Sequence, residues 1–231
     1  MTPRLADPYR NTKVIDARAP RVLQATIGSL AILAFVVDFW PLLAILALQL
    51  FIGLRFGRQY CIPCLAYFEW IQPRFGEGPI EDARPPRFAN MVGVGFLTTA
   101  TVAHLVGLET LGWALGLLVG ALALLAATTG FCVGCELYRV GARVRGIYGH
   151  RLDEIDLADV GAEKSGEVVV LFTHPLCTDC HELEGRLAEG DQPLVTVDVT
   201  ERPDLARKYG IAVVPTAVEV AAGIVTARIA G

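Results

Sequence analysis

The stretch VLQATIGSLAILAFVVDFWPLLAILALQLFIGL, Val22–Leu54, contains no Lys and no Arg, and the same is true from Phe88 to Tyr138. Each stretch is too long for one crossing of a bilayer core. Each is just long enough for two short crossings of roughly 17–20 residues. A polar break lies near each middle: Asp38-Phe39-Trp40-Pro41 in the first, Gly107-Leu108-Glu109-Thr110 in the second. Trp40 and Trp113 beside these breaks suit an interfacial aromatic belt. The pattern predicts two helical hairpins, with transmembrane helices near 22–37, 41–56, 88–107 and 111–130. A soluble apolar bundle is the alternative, and charge-free runs of this length are rare in soluble folds.

Composition agrees. Of 231 residues, 53% are hydrophobic and 19% charged, with a mean hydropathy of +0.48, too apolar for an ordinary soluble domain. A net charge of −4 implies no nucleic-acid partner. Arginines and lysines gather before Val22, between the two stretches and after Tyr138, whereas both hairpin tips lack them. The positive-inside rule then puts both termini and the central loop in the cytoplasm of a multi-pass plasma-membrane protein. A cleaved signal peptide is not expected, because a charged segment precedes Val22 and no small-residue cleavage site follows its apolar core.

All six cysteines fall into C-x-x-C pairs: Cys61/Cys64, Cys132/Cys135 and Cys177/Cys180. Thiols at this spacing either cycle between dithiol and disulfide or supply half of a tetrahedral metal site. Two of the pairs belong to a duplication. Ala17-Arg18-Ala19-Pro20-Arg21 leads into the first hairpin, and Ala83-Arg84-Pro85-Pro86-Arg87 into the second. At the far ends, Tyr60-Cys61-Ile62-Pro63-Cys64-Leu65-Ala66-Tyr67 matches Phe131-Cys132-Val133-Gly134-Cys135-Glu136-Leu137-Tyr138. Prolines suit helix starts, and arginines can snorkel to headgroups. Two parallel copies bring both pairs to one membrane face. Over about residues 15–145 this repeat resembles a bacterial inner-membrane family of small four-helix proteins that sometimes carry a thioredoxin-like domain. The resemblance supports architecture more than activity.

After Gly149 the composition changes. Residues 149–166 are charged and read as a linker between a membrane domain (22–148, after an N-terminal segment 1–21) and a C-terminal domain (167–231). Val168–Phe172 is a short buried-type strand, followed by Cys177-Thr178-Asp179-Cys180 and a helical pattern from His181. Leu194–Val199 alternates as a second strand, Pro203–Tyr209 forms a short helix, and Val213-Val214-Pro215-Thr216 precedes a final strand pair. This order resembles thioredoxin. The resemblance implies a cis Pro215 packed against the disulfide, Cys177 as the nucleophile and Cys180 as the resolving thiol. A helix N-terminus lowers a thiol pKa. Asp179 between the cysteines opposes that effect, and Leu176 replaces the family's tryptophan. The last helix of the family is not present before Gly231, so the fold class is a four-helix membrane domain plus a small α/β thioredoxin-like domain lacking that helix. One sheet face is then bare or covered from elsewhere.

Three readings fit Cys61, Cys64, Cys132 and Cys135: a shared four-cysteine site for zinc or iron, disulfide exchange with Cys177/Cys180, or helix capping without chemistry. Reduced cytosolic thiols, with Pro63 and Gly134 as knuckle-like turns, favour the metal site. His104 and Gln49 could line a path through the membrane, although His104 near a hairpin tip fits a structural role better. His174 and His181 flank the third pair, where each could tune Cys177 or lie on the surface. The function expected is a membrane-anchored thiol–disulfide oxidoreductase at the cytoplasmic face, with Cys177, Cys180 and Pro215 as its site. Its partners are the lipid bilayer and a protein thiol or disulfide. A scaffold subunit of a membrane complex is the alternative, and handling of thiophilic metal ions the third.

Overall fold

Arginine–proline lead-ins start the long helices, because a proline in the first turn lacks only an amide that would have no helical partner. Helix α1 (Arg18–Val36) and helix α5 (Arg84–Leu105) therefore begin at matching arginines of the two repeats, four residues before the expected bounds. The structure is a computed structural model describing residues 6–144, 152–161, 167–190, 192–211 and 213–230. Its residues form two compact units, divided after Gly78, Asp82 and Tyr138, with Pro79–Asp82 belonging to the second.

In the first unit, strand β1 (Val14–Asp16) precedes α1, and α1 is followed by α2 (Pro41–Phe56). Two short helices, α3 (Ile62–Ala66) and α4 (Gln72–Phe75), flank a π-helical turn at Tyr67–Ile71. Helix α6 (Glu109–Thr129) follows α5, and α7 (Val133–Val144) starts inside the second membrane-domain C-x-x-C motif. Helices α1, α5 and α6 are long and apolar enough to cross a membrane; α2, with 16 residues, is shorter.

Helix α1 packs chiefly on α6, and α2 on α5. The buried face of α6 is Gly112, Gly116, Gly120 and Ala126, the spacing that lets backbones approach when helices have no side-chain bulk between them. A Cβ on Gly28 of α1 would stand 2.9 Å from the carbonyl oxygen of Gly120. His104 is buried beside this stripe, stacked on Trp40 (5.7 Å) and edge-on to Trp113 (4.7 Å), so it joins the two hairpin tips from inside rather than meeting headgroups.

Asp16 ties the lead-in of the first hairpin to the chain after α3. Its Oδ2 accepts from Tyr67 Oη (2.7 Å), Gln72 Nε2 (3.1 Å) and the Gly78 amide (2.9 Å), while Oδ1 accepts the Arg18 amide. Burial, then the bond to Asp16, pushes the Tyr67 phenol above its ordinary pKa.

The second unit contains β2 (Ile80–Asp82), β3 (Glu167–Thr173), α8 (Thr178–Ala188), β4 (Leu194–Asp198), α9 (Pro203–Lys208), β5 (Thr216–Ala221) and β6 (Ile224–Ala230). Four of these strands form a sheet in the order β4-β3-β5-β6, with β3 parallel to β4 and antiparallel to β5. β3 is covered on both faces. Leu171 meets Leu183 and Ala217 on one side, while Val170 and Phe172 pack with Leu152, Ile155 and Leu157 on the other.

The expected linker 149–166 is thus corrected. Residues 149–151 and 162–166 lie outside the described residues, but 152–161 belong to the domain. Leu152, Ile155 and Leu157 have no helical or strand period to reveal them, and burial alone recruits them. Asp159 accepts hydrogen bonds from Lys208 and from the Tyr209 hydroxyl (2.6 Å), fastening this segment to α9.

Candidate functional site

The apolar run of β3 ends at Thr173, and His174-Pro175-Leu176 carries the chain into α8. Cys177 is the N-cap of α8, and its Sγ accepts the Cys180 amide at 3.2 Å. An N-cap normally satisfies such an orphan amide with oxygen; here sulfur does so. In the reduced protein the same amide and the helix dipole stabilise a Cys177 thiolate. The two cysteines are paired, with Cα atoms 5.2 Å apart, and are only 1% and 0% exposed.

Both flanking histidines brace the turn. His174 Nδ1 accepts the Leu176 amide (3.2 Å), and His181 Nε2 bonds the Pro175 carbonyl (3.0 Å). Asp179 is exposed, where water screens its charge from the thiolate. The peptide bond Val214–Pro215 is cis, and Val214 packs in the same apolar cluster as Cys177 and Cys180. One neighbour was not foreseen: the amide of buried Ile80 donates to Thr178 Oγ1 (3.0 Å), so β2 lies along the start of α8. No spacing in the sequence could announce a contact between positions 98 apart.

The membrane-domain pairs differ from each other. Cys132 Sγ accepts the Cys135 amide (3.2 Å) at the start of α7, repeating the arrangement at Cys177, and Gln24 Nε2 lies 3.6 Å from it. Cys61 is the N-cap of the short α3 but makes no such side-chain bond. Each pair is joined within its own motif, with Cα separations of 5.1 and 5.2 Å.

Among the described residues no three His, Cys, Asp or Glu side chains gather as metal ligands. Cys61, Cys64, Cys132 and Cys135, expected to share a metal, are not gathered as one ligand set among the described residues. The duplication puts the pairs at equivalent places in two hairpins, and Leu23, Leu50 and Asn90 line both of the cavities beside them. Gln49, considered as a path-lining residue, donates instead to the Tyr60 carbonyl (3.2 Å) just before Cys61.

Residues 15–143 match the family described as Domain of unknown function (DUF4395), and residues 157–231 match Thioredoxin. No curated protein and no solved structure matches the chain.

Proposed function

From a chain that belongs to the DUF4395 family and carries a thioredoxin domain at its C-terminal end, we propose a membrane-anchored thiol–disulfide oxidoreductase acting at the cytoplasmic face. The observation that carries this reading is Cys177 as N-cap of α8, with its sulfur on the Cys180 amide. In the reduced enzyme Cys177 attacks a substrate disulfide as thiolate, and one substrate sulfur leaves and takes up a proton. Cys180 then attacks the mixed disulfide at Cys177, closing the Cys177–Cys180 bond and releasing the second substrate thiol. The substrate gains two electrons and the enzyme pair loses them. Pro215 shapes the surface on which the substrate strand lies.

Anchoring rests on α1, α5 and α6, with α2 as a fourth, shorter crossing; its 16 residues extend about 24 Å. The distribution of arginines supports cytoplasmic termini.

The test uses full-length protein in detergent with insulin as disulfide substrate and dithiothreitol as reductant. Turnover that disappears in Cys177→Ser is expected, with a Cys177 pKa below the roughly 8.5 of an ordinary thiol. No turnover and an ordinary pKa would rule the reading out. A reporter fused after Gly231 that is active only outside the cytoplasm would reverse the orientation.

A further inference from the structure

The Cys61–Cys64 pair opens onto a cavity of about 290 Å³ in the N-terminal unit, and three arginines are among the residues that line it: Arg55, Arg58 and Arg87. Among the described residues no carboxylate forms an ion pair with any of them. Arg58 spends its donors on the carbonyls of Pro8 (3.0 Å), Thr12 (3.2 Å) and Val14 (2.7 Å), which fix the group but leave its charge unneutralised. Its pKa falls to about 10, first through burial and then through the nearby positive charge of Arg87. Arg55 lies over the Phe56 ring, 5.6 Å from its centroid. Cations crowded at one cavity without acids mark a place that an anion completes.

The remaining wall includes Pro20, Leu23, Leu50, Leu54 and Pro86, which suit a short carbon skeleton. Gln49 and Asn90 add polar groups. The neighbouring cavity of about 250 Å³ by Cys132 shares Leu23, Leu50 and Asn90, but among the described residues no arginine lines it. The two halves of the duplication have therefore diverged in the charge they present beside their cysteines.

We propose that the cavity beside Cys61 and Cys64 binds a low-molecular-weight anionic disulfide, or the corresponding thiol, and exchanges disulfides with it. Cys64 is the more exposed residue of the pair, and its sulfur is the one assigned to meet the ligand first. As thiolate it attacks one ligand sulfur, and the other half of the ligand leaves as a thiol, taking the proton Cys64 gave up. Cys61, losing its own proton, then attacks Cys64 in the mixed disulfide. The Cys61–Cys64 bond closes and the second ligand thiol departs. The pair is oxidised by two electrons, the ligand disulfide is reduced to two thiols, and excess ligand thiol runs the exchange backwards. Nothing in these steps needs Cys177 or Cys180.

The experiment uses the full chain carrying Cys177→Ser and Cys180→Ser, reduced and purified in neutral detergent. Three disulfides of similar skeleton are offered: dithiodipropionate (anionic), bis(2-hydroxyethyl) disulfide (neutral) and cystamine (cationic). Thiol labelling and peptide mass spectrometry follow the loss of Cys61 and Cys64 thiols separately from Cys132 and Cys135. Dithiodipropionate is expected to oxidise Cys61/Cys64 about tenfold faster than cystamine, the low end of electrostatic steering. Arg55→Gln with Arg87→Gln should cut that preference to about threefold or less, the remainder belonging to Arg58, while the neutral reagent keeps its rate. Both arginines are exposed, so these changes spare the fold that the Arg58 bonds maintain. Equal rates for the three reagents, or a preference left undiminished by both substitutions, would overturn the proposal. So would equal rates together with protection by phosphatidylglycerol and not by phosphatidylcholine, which assigns the arginines to a lipid headgroup instead.

Discussion

Cys177 and Cys132 occupy the same position in their helices, each with the amide three residues on donating to its sulfur at 3.2 Å, yet their surroundings are unlike. Cys177 packs in the apolar cluster at the end of β3, on a turn braced by His174 and His181. Cys132 is half-buried beside Gln24, on an apolar cavity. Cys61, the duplicate of Cys132 by sequence, has neither amide nor glutamine on its sulfur and faces arginines. A C-x-x-C spacing thus brings two sulfurs together, the local start of the helix decides whether an amide stabilises one of them, and the neighbouring elements select what can approach.

The comparison breaks most directly at Cys177. Replacing it with serine should take disulfide-reductase turnover of the full chain to background, while Cys132→Ser retains it; loss in both would join the two pairs in one relay. Next in size is Asp16→Ala, which strips the acceptor from three amide or side-chain donors and the Tyr67 hydroxyl near the first hairpin. Unpaired buried groups cost about 1–3 kcal/mol each, so a loss of about 3 kcal/mol or more is expected in denaturant unfolding of the detergent-solubilised protein. The same change should loosen the Cys61 end of the unit while leaving the alkylation rate of Cys132 as it was.

A smaller effect is expected from Gly112→Ala. The added methyl would overlap the His104 ring packed between Trp40 and Trp113, costing roughly 1–3 kcal/mol by overpacking, and tryptophan fluorescence should report the displaced ring. Gln24→Leu sharpens the contrast between the duplicated pairs. Alkylation of reduced Cys132 at neutral pH should slow roughly two- to fivefold, the scale of a hydrogen bond worth about 0.5–1 kcal/mol, with no change at Cys64.

The least effect belongs to Asp159, whose carboxyl is held below the usual carboxylate range first by the Lys208 hydrogen bond and then by Tyr209. Its contribution is present above the ordinary carboxylate pKa of about 4 and disappears as pH falls through the lower folded value. Asp159→Asn should flatten that part of the acid-unfolding profile, and only slightly, since the group is half-buried at the surface and water screens it.

Much of this arrangement was legible in the chain. Arginine–proline lead-ins, charge-free runs and the strand before Cys177 each carry a local signal, and the helices and sheet follow them. The spacing of Gly112, Gly116 and Gly120, which gives the face on which α6 packs, played no part in the expected hairpins. What stayed hidden was tertiary. Leu152, Ile155 and Leu157 are too sparse to show a period, Ile80 reaches Thr178 across 98 residues, and the duplicated motifs gave no hint that Cys61 and Cys132 would acquire different walls. The shared metal site rests on the spacing within each motif and on a duplication that brings both pairs to one membrane face, and neither sets the distance between the pairs.

The most direct test of Cys177 as the attacking sulfur is to trap its covalent intermediate. In full-length protein carrying Cys180→Ser, the mixed disulfide formed with insulin cannot be resolved, and peptide mass spectrometry can locate it. The account predicts a stable adduct on Cys177, absent from Cys177→Ser. Adducts confined to the membrane-domain cysteines, or none at all, would contradict it.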